Sequence, residues 1–81
     1  MMFNDNLNKY RKQKGLSQEE LAFRLGVSRQ SVSKWESGQS TPELERIIEI
    51  ADLFGISLDE LIGHESNDYV KVDGEELRSV V

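Results

Sequence analysis

The sequence predicts an all-α domain of five short helices followed by a short C-terminal extension. Three observations carry this. Glycines stand at positions 15, 26, 38, 55 and 63, each just past an amphipathic stretch, where a left-handed residue commonly ends a helix. Serines answer them at the other end: Ser17 stands three residues before Glu20, and Ser57 three before Glu60, the spacing of a capping box. Apolar residues between these signals recur at intervals of three and four, and no strand-like alternation appears before residue 69. A chain of 81 residues holds one small domain, which buries only about 60% of its unfolded surface, so a roomy catalytic pocket would be hard to build.

Each element has its own justification. A first helix over roughly 4–14 carries Leu7 and Tyr10, three apart. A second, 18–25, opens at Ser17 and carries Leu21 and Leu25. A third, 29–37, opens at Ser28 and carries Val32 and Trp35. A fourth, 42–54, is expected to start with Thr41 as cap and Pro42 at the first helical position, where a missing N–H costs nothing. Its apolar positions are Leu44, Ile47, Ile48, Ala51 and Phe54. A fifth, 58–62, carries Leu58, Leu61 and Ile62. Leu16, Val27 and Ile56 lie in the links, where they staple neighbouring helices. Trp35, Phe3, Phe23, Phe54 and Tyr10 read as packing residues. Residues 1–63 therefore form the domain. Residues 64–81 change character: Tyr69, Val70 and Val72 favour strand, Asp73-Gly74 signals a turn, and Glu75 to Val81 has room for one or two helical turns. This segment reads as a tail or a dimerisation arm, and its end at Ser79-Val80-Val81 suggests a short accessory or truncated piece.

Composition narrows the function classes. There is no cysteine, which excludes disulfides, thiolate catalysis and cysteine metal sites. The single histidine, His64, cannot form a multi-histidine metal site. No Gly-rich phosphate loop or nucleophile elbow is present, and Glu60 of the Asp59-Glu60 pair already has a capping role. No enzyme, metal or cofactor is expected. No apolar run approaches the roughly 20 residues that span a bilayer, and the N-terminus lacks the order of a signal peptide. The expectation is a cytoplasmic protein with no membrane contact.

The net charge of −5 hides an asymmetry. Residues 1–40 hold seven Lys and Arg against four acids, a net of +3; the remainder holds three bases against eleven acids, a net of −8. The first half has the sign to face phosphate, and the second suits solvent or a basic protein partner.

Residues 18–37 concentrate the signal. Two short helices share an apolar face of Leu21, Leu25, Val32 and Trp35. Ala22 is small enough for close approach, and Gly26 can take the left-handed turn conformation that the tight connection needs. This is the layout of a helix-turn-helix, whose second helix can lie in a DNA major groove. At about 100° per residue, Val32, Trp35, Ser28 and Glu36 fall on one side of that second helix. Arg29, Gln30, Ser33, Lys34 and Ser37 fall on the other, with no acid among them. Arg and Lys suit guanine, Gln suits adenine, and Ser suits several partners. A merely solvated face would normally mix Glu with Lys. Glu36, on the inward side, needs a cationic partner.

These residues resemble the phage-repressor (Xre/Cro-like) helix-turn-helix regulators. The resemblance rests on Arg11, Gly15-Leu16-Ser17-Gln18-Glu19-Glu20-Leu21-Ala22, Leu25-Gly26-Val27-Ser28, Val32-Ser33-Lys34-Trp35-Glu36-Ser37-Gly38, Pro42 and Phe54-Gly55-Ile56-Ser57-Leu58-Asp59-Glu60-Leu61. It spans about residues 4–63 and implies a five-helix lambda-repressor-like DNA-binding domain. It further implies that Arg29, Gln30, Ser33 and Lys34 read bases, and that Gln18, Ser37, Gln39 and Ser40 contact the backbone. Arg11 would pair with Glu36 and also touch phosphate. The implied partner is a double-stranded operator. With few lysines and a net negative chain one protomer should bind weakly, so a homodimer on an imperfect palindrome is expected. The resemblance places its contact at Leu58 to Gly63 and the residues beyond. Repression is the expected role, because occupying a promoter requires nothing beyond binding. The same fold also serves as an antitoxin or other module whose main partner is a protein, here through the acidic second half.

Overall fold

The computed structural model describes residues 2–63. Five helices follow one another: α1 (Met2–Gln13), α2 (Gln18–Leu25), α3 (Arg29–Ser37), α4 (Leu44–Phe54) and α5 (Leu58–Ile62). Among the described residues there is no strand. The strand and arm expected at Tyr69, Val70 and Val72 lie outside the described residues.

Local chemistry sets most of the boundaries. Ser17 Oγ accepts the Glu20 N–H at 3.0 Å, and Glu20 Oε1 accepts the Ser17 N–H at 2.8 Å. Ser57 and Glu60 repeat both bonds at 3.0 and 2.8 Å. Each box satisfies two N–H groups that a helix start would otherwise leave unpaired. Ser28 Oγ caps α3 by accepting the Ser31 N–H at 3.1 Å. At the end of α2, the Gly26 N–H donates to Phe23 O and the Val27 N–H to Ala22 O, closing a Schellman motif that requires the φ of +72° found at Gly26.

Two boundaries depart from the expected ones. α1 begins at Met2, because Phe3 is buried in the core and its docking extends the helix two residues ahead of residue 4. α4 begins at Leu44, not at Pro42. Glu43 takes the extended cap conformation without any side-chain hydrogen bond, so Thr41 and Pro42 belong to the connection.

The core gathers Phe3 and Leu7 from α1, Leu21, Ala22 and Leu25 from α2, Val32 and Trp35 from α3, Ile47, Ile50, Ala51 and Phe54 from α4, and Leu61 from α5. Tyr10 packs against it, its ring 6.4 Å from that of Phe54. Leu16, Val27 and Ile56 fill the seams from the links. In α4 the buried arc is centred on Ile47, Ile50, Ala51 and Phe54. Leu44 and Ile48 fall beside that arc, and are 62% and 43% exposed. The larger correction is Phe23. It points away from the shared face of α2 and is 87% exposed, so it is not a packing residue.

Polar side chains tie helix ends to distant helices. Asn6 Nδ2 donates to the Glu60 and Leu61 carbonyls of α5, both at 3.2 Å. Arg46 Nη1 of α4 donates to Leu25 O at 2.9 Å, satisfying a carbonyl in the last turn of α2. These bonds tie α1 to α5 and α4 to α2, and one side of α3 stays open to solvent.

Candidate nucleic-acid interface

α3 presents two chemically opposite sides. Val32 and Trp35 are buried, while Arg29, Gln30, Lys34 and Ser37 are exposed. Arg29, Gln30, Ser33, Lys34 and Gln39 line one shallow polar depression with no carboxylate among its walls. The four expected base readers therefore share one surface. Gln39, expected at the backbone, joins them there. Ser40 is exposed, and its N–H donates to Lys34 O at 3.4 Å. The Ser37 hydroxyl donates to the same carbonyl at 3.1 Å. The left-handed turn at Gly38 carries the chain out of α3 at this point.

Beneath this surface lies a polar cluster built from three helices. Arg11 Nε donates to Glu36 Oε2 at 2.6 Å, and Nη2 to Oε1 at 3.1 Å. The two side chains are only 10% and 6% exposed. Arg11 Nη1 also donates to Leu16 O at 2.8 Å, fixing the turn between α1 and α2. With its donors turned inward, Arg11 has little surface to offer phosphate. Its geometry supports the ion pair and argues against the expected backbone contact.

Glu36 Oε1 accepts two further bonds, from Asn8 Nδ2 at 2.9 Å and from Gln18 Nε2 at 3.0 Å. Burial pushes this carboxyl up, but the bonds from Arg11, Asn8 and Gln18, together with the guanidinium charge, outweigh it and hold Glu36 below the usual carboxylate range. Asn8 was not anticipated. Its signal is positional: Asn4, Asn8 and Arg11 fall at i, i+4 and i+7 on α1, a polar seam along one side of a helix. Asn4 uses the same seam to donate to the Glu36 carbonyl at 3.4 Å.

Gln18 connects the two layers. It stands at the first position of α2, and its side-chain Oε1 accepts a hydrogen bond from Arg29 Nη1 at 3.4 Å. The expected phosphate donor thus already holds a buried carboxylate on one side and an expected base reader on the other.

Known proteins share this architecture. The profile of the helix-turn-helix family matches residues 7–61, which takes in the cluster, both helices of the motif and α5 as far as Leu61. The chain belongs to the helix-turn-helix family. As a member it is 40% identical over 89% of its length to YqaE of Bacillus subtilis, named as an uncharacterized HTH-type transcriptional regulator. It is 45% identical over 80% of its length to the HTH-type transcriptional activator BcrR of Enterococcus faecalis. It spans 62% of the first relative and 32% of the second. The crystal structure of a transcriptional regulator from Listeria innocua superposes with a TM-score of 0.74 at 32% identity, covering 85% of this chain and 64% of that one. Among the described residues of this helix-turn-helix protein, no helix is long and apolar enough to cross a membrane.

Proposed function

We propose that this helix-turn-helix chain is a sequence-specific double-stranded DNA-binding regulator of transcription. α3 lies in the major groove, where Arg29, Gln30, Ser33 and Lys34 contact base edges. Gln18, Ser37, Gln39 and Ser40 contact the backbone and set the register. The observation that carries this reading is the acid-free polar side of α3, in a chain whose net charge is negative. A solvated helix side in so acidic a protein would carry carboxylates.

The chain is proposed to work as a homodimer in the cytoplasm. One protomer offers few phosphate contacts, so useful affinity calls for two half-sites about 34 Å apart on an imperfect palindrome. Repression is the proposed outcome, because occupying a promoter requires nothing beyond binding. Residues 1–63 are proposed to suffice for base reading, and 64–81 to contribute to dimerisation.

A second reading, an antitoxin-like module whose main partner is a protein, draws support from Leu44 and Ile48. They lie exposed on α4 amid Glu43, Glu45, Glu49 and Asp52. Selection from random duplex DNA by the purified chain at two salt concentrations separates the two readings. The DNA reading predicts an enriched two-fold site, with binding that weakens as salt rises. No enrichment at either salt would favour the protein partner.

A further inference from the structure

We propose that Gln39 reads a base as well as touching the backbone, which carries recognition past the end of α3. This rests on the DNA reading above.

Gln39 lies outside the helix, yet it lines the depression formed by Arg29, Gln30, Ser33 and Lys34. Its neighbours are placed differently. Ser37 turns its hydroxyl onto the Lys34 carbonyl, and among the described residues neither Ser37 nor Ser40 is a wall of that depression.

The turn that holds Gln39 is closed. The Gly38 N–H donates to Trp35 O at 3.3 Å and the Gln39 N–H to Lys34 O at 2.9 Å, with Gly38 at a φ of +81°. The Ser40 N–H and the Ser37 hydroxyl add bonds to the same Lys34 carbonyl, and Asn4 of α1 donates to the Glu36 carbonyl. The main chain of Gln39 is therefore placed by α3 and not by a loose loop. Little of it is left to order on binding, which lowers the cost of aiming the side chain. Its own N–H is already committed, so the donor it offers DNA is the side-chain amide.

That amide suits a base better than a phosphate. It carries an acceptor oxygen and two N–H donors. A phosphate presents acceptors alone and leaves the oxygen unused. Adenine presents an N6 donor and an N7 acceptor side by side in the major groove, and so meets both ends of the amide. The second N–H remains for the backbone. Reach fits as well. Arg29 to Lys34 rises only about 7.5 Å along α3, roughly two steps of a DNA strand. A reader just past the helix end extends recognition to one more base pair, which the chemistry assigns as A·T.

The test measures affinity of the wild-type chain, Gln39→Ala and Gln39→Arg for the selected operator and for every single base-pair change of it. Both variants keep the backbone N–H that closes the turn and alter an exposed residue, so the fold is retained. Gln39→Ala should relax preference at one A·T pair of each half-site by about fivefold or more, the low end for a bidentate base contact. Preference at the pairs read by α3 should stay. Gln39→Arg should move the preference at that same pair toward G·C. An even loss on all duplexes in Gln39→Ala, with Gln39→Arg tightening all of them alike, would overturn the proposal and leave Gln39 a backbone contact alone. The wider reading fails separately: a wild-type chain that prefers no duplex would end it, and the role of Gln39 with it, whereas wild-type preferences that both variants share would end only the role of Gln39.

Discussion

Arg11 and Glu36, 25 residues apart in sequence, meet at 2.6 Å with their side chains nearly removed from solvent. Breaking such a pair by neutralising one partner leaves the other charge buried, at a cost of about 3–5 kcal/mol. A domain of about sixty residues is stable by only about 3–9 kcal/mol in total. Glu36→Gln should therefore remove much of the stability, seen as a large fall in the urea midpoint. Its NH2 would necessarily face a donor, since Arg11, Asn8 and Gln18 all donate to this group. A change under about 1 kcal/mol, as for a surface pair, would contradict the burial.

The same carboxylate sets an acid limit. Its value in the folded chain is lowered, so the unfolded chain binds the extra proton first as pH falls. The stabilisation is complete above the ordinary Glu value of about 4.3 and is lost as pH drops through the lowered one. Carbon-13 NMR of the carboxyl groups against pH reads this directly. Glu36 titrating at or above the ordinary value would count against the cluster.

Phe54 and Phe23, of opposite exposure, should behave oppositely. Phe54→Ala empties a fully buried site and should cost about 3–5 kcal/mol. Phe23→Ser alters a ring in solvent and should stay within about 0.5 kcal/mol. Thermal unfolding of both variants makes the comparison, and similar losses would mean that Phe23 packs against something.

The motif turn gives a purely backbone test. A Cβ built on Gly26 meets no atom within 4 Å, so Gly26→Ala adds no clash. What remains is the cost of a left-handed conformation, about 1–2 kcal/mol. A neutral substitution in the same unfolding assay would mean that the turn relaxes freely.

What the sequence made legible was local. Ser17, Ser28 and Ser57 announce helix starts because each bonds a backbone N–H three residues on. The inward side of α3 followed from spacing alone, since Val32, Trp35 and Glu36 share one arc of a helix. What stayed hidden depends on which way a helix faces a distant partner. Leu44 and Phe23 have apolar chemistry, but their positions fall off the buried arcs. Thr41-Pro42 carries a start signal that α4 does not use, its first buried residue being Ile47. Asn8 and the Gln18–Arg29 bond needed the packing of α1, α2 and α3 together, which no local pattern encodes.

The central claim is that α3 reads bases, and Gln30→Ala tests it most directly. Binding of the variant is compared with wild type across every single-base change of the selected operator. The account predicts a loss of about 1–3 kcal/mol confined to one base position, where preference relaxes. An equal loss on every sequence, with preferences intact, would contradict it and make Gln30 a DNA-backbone contact.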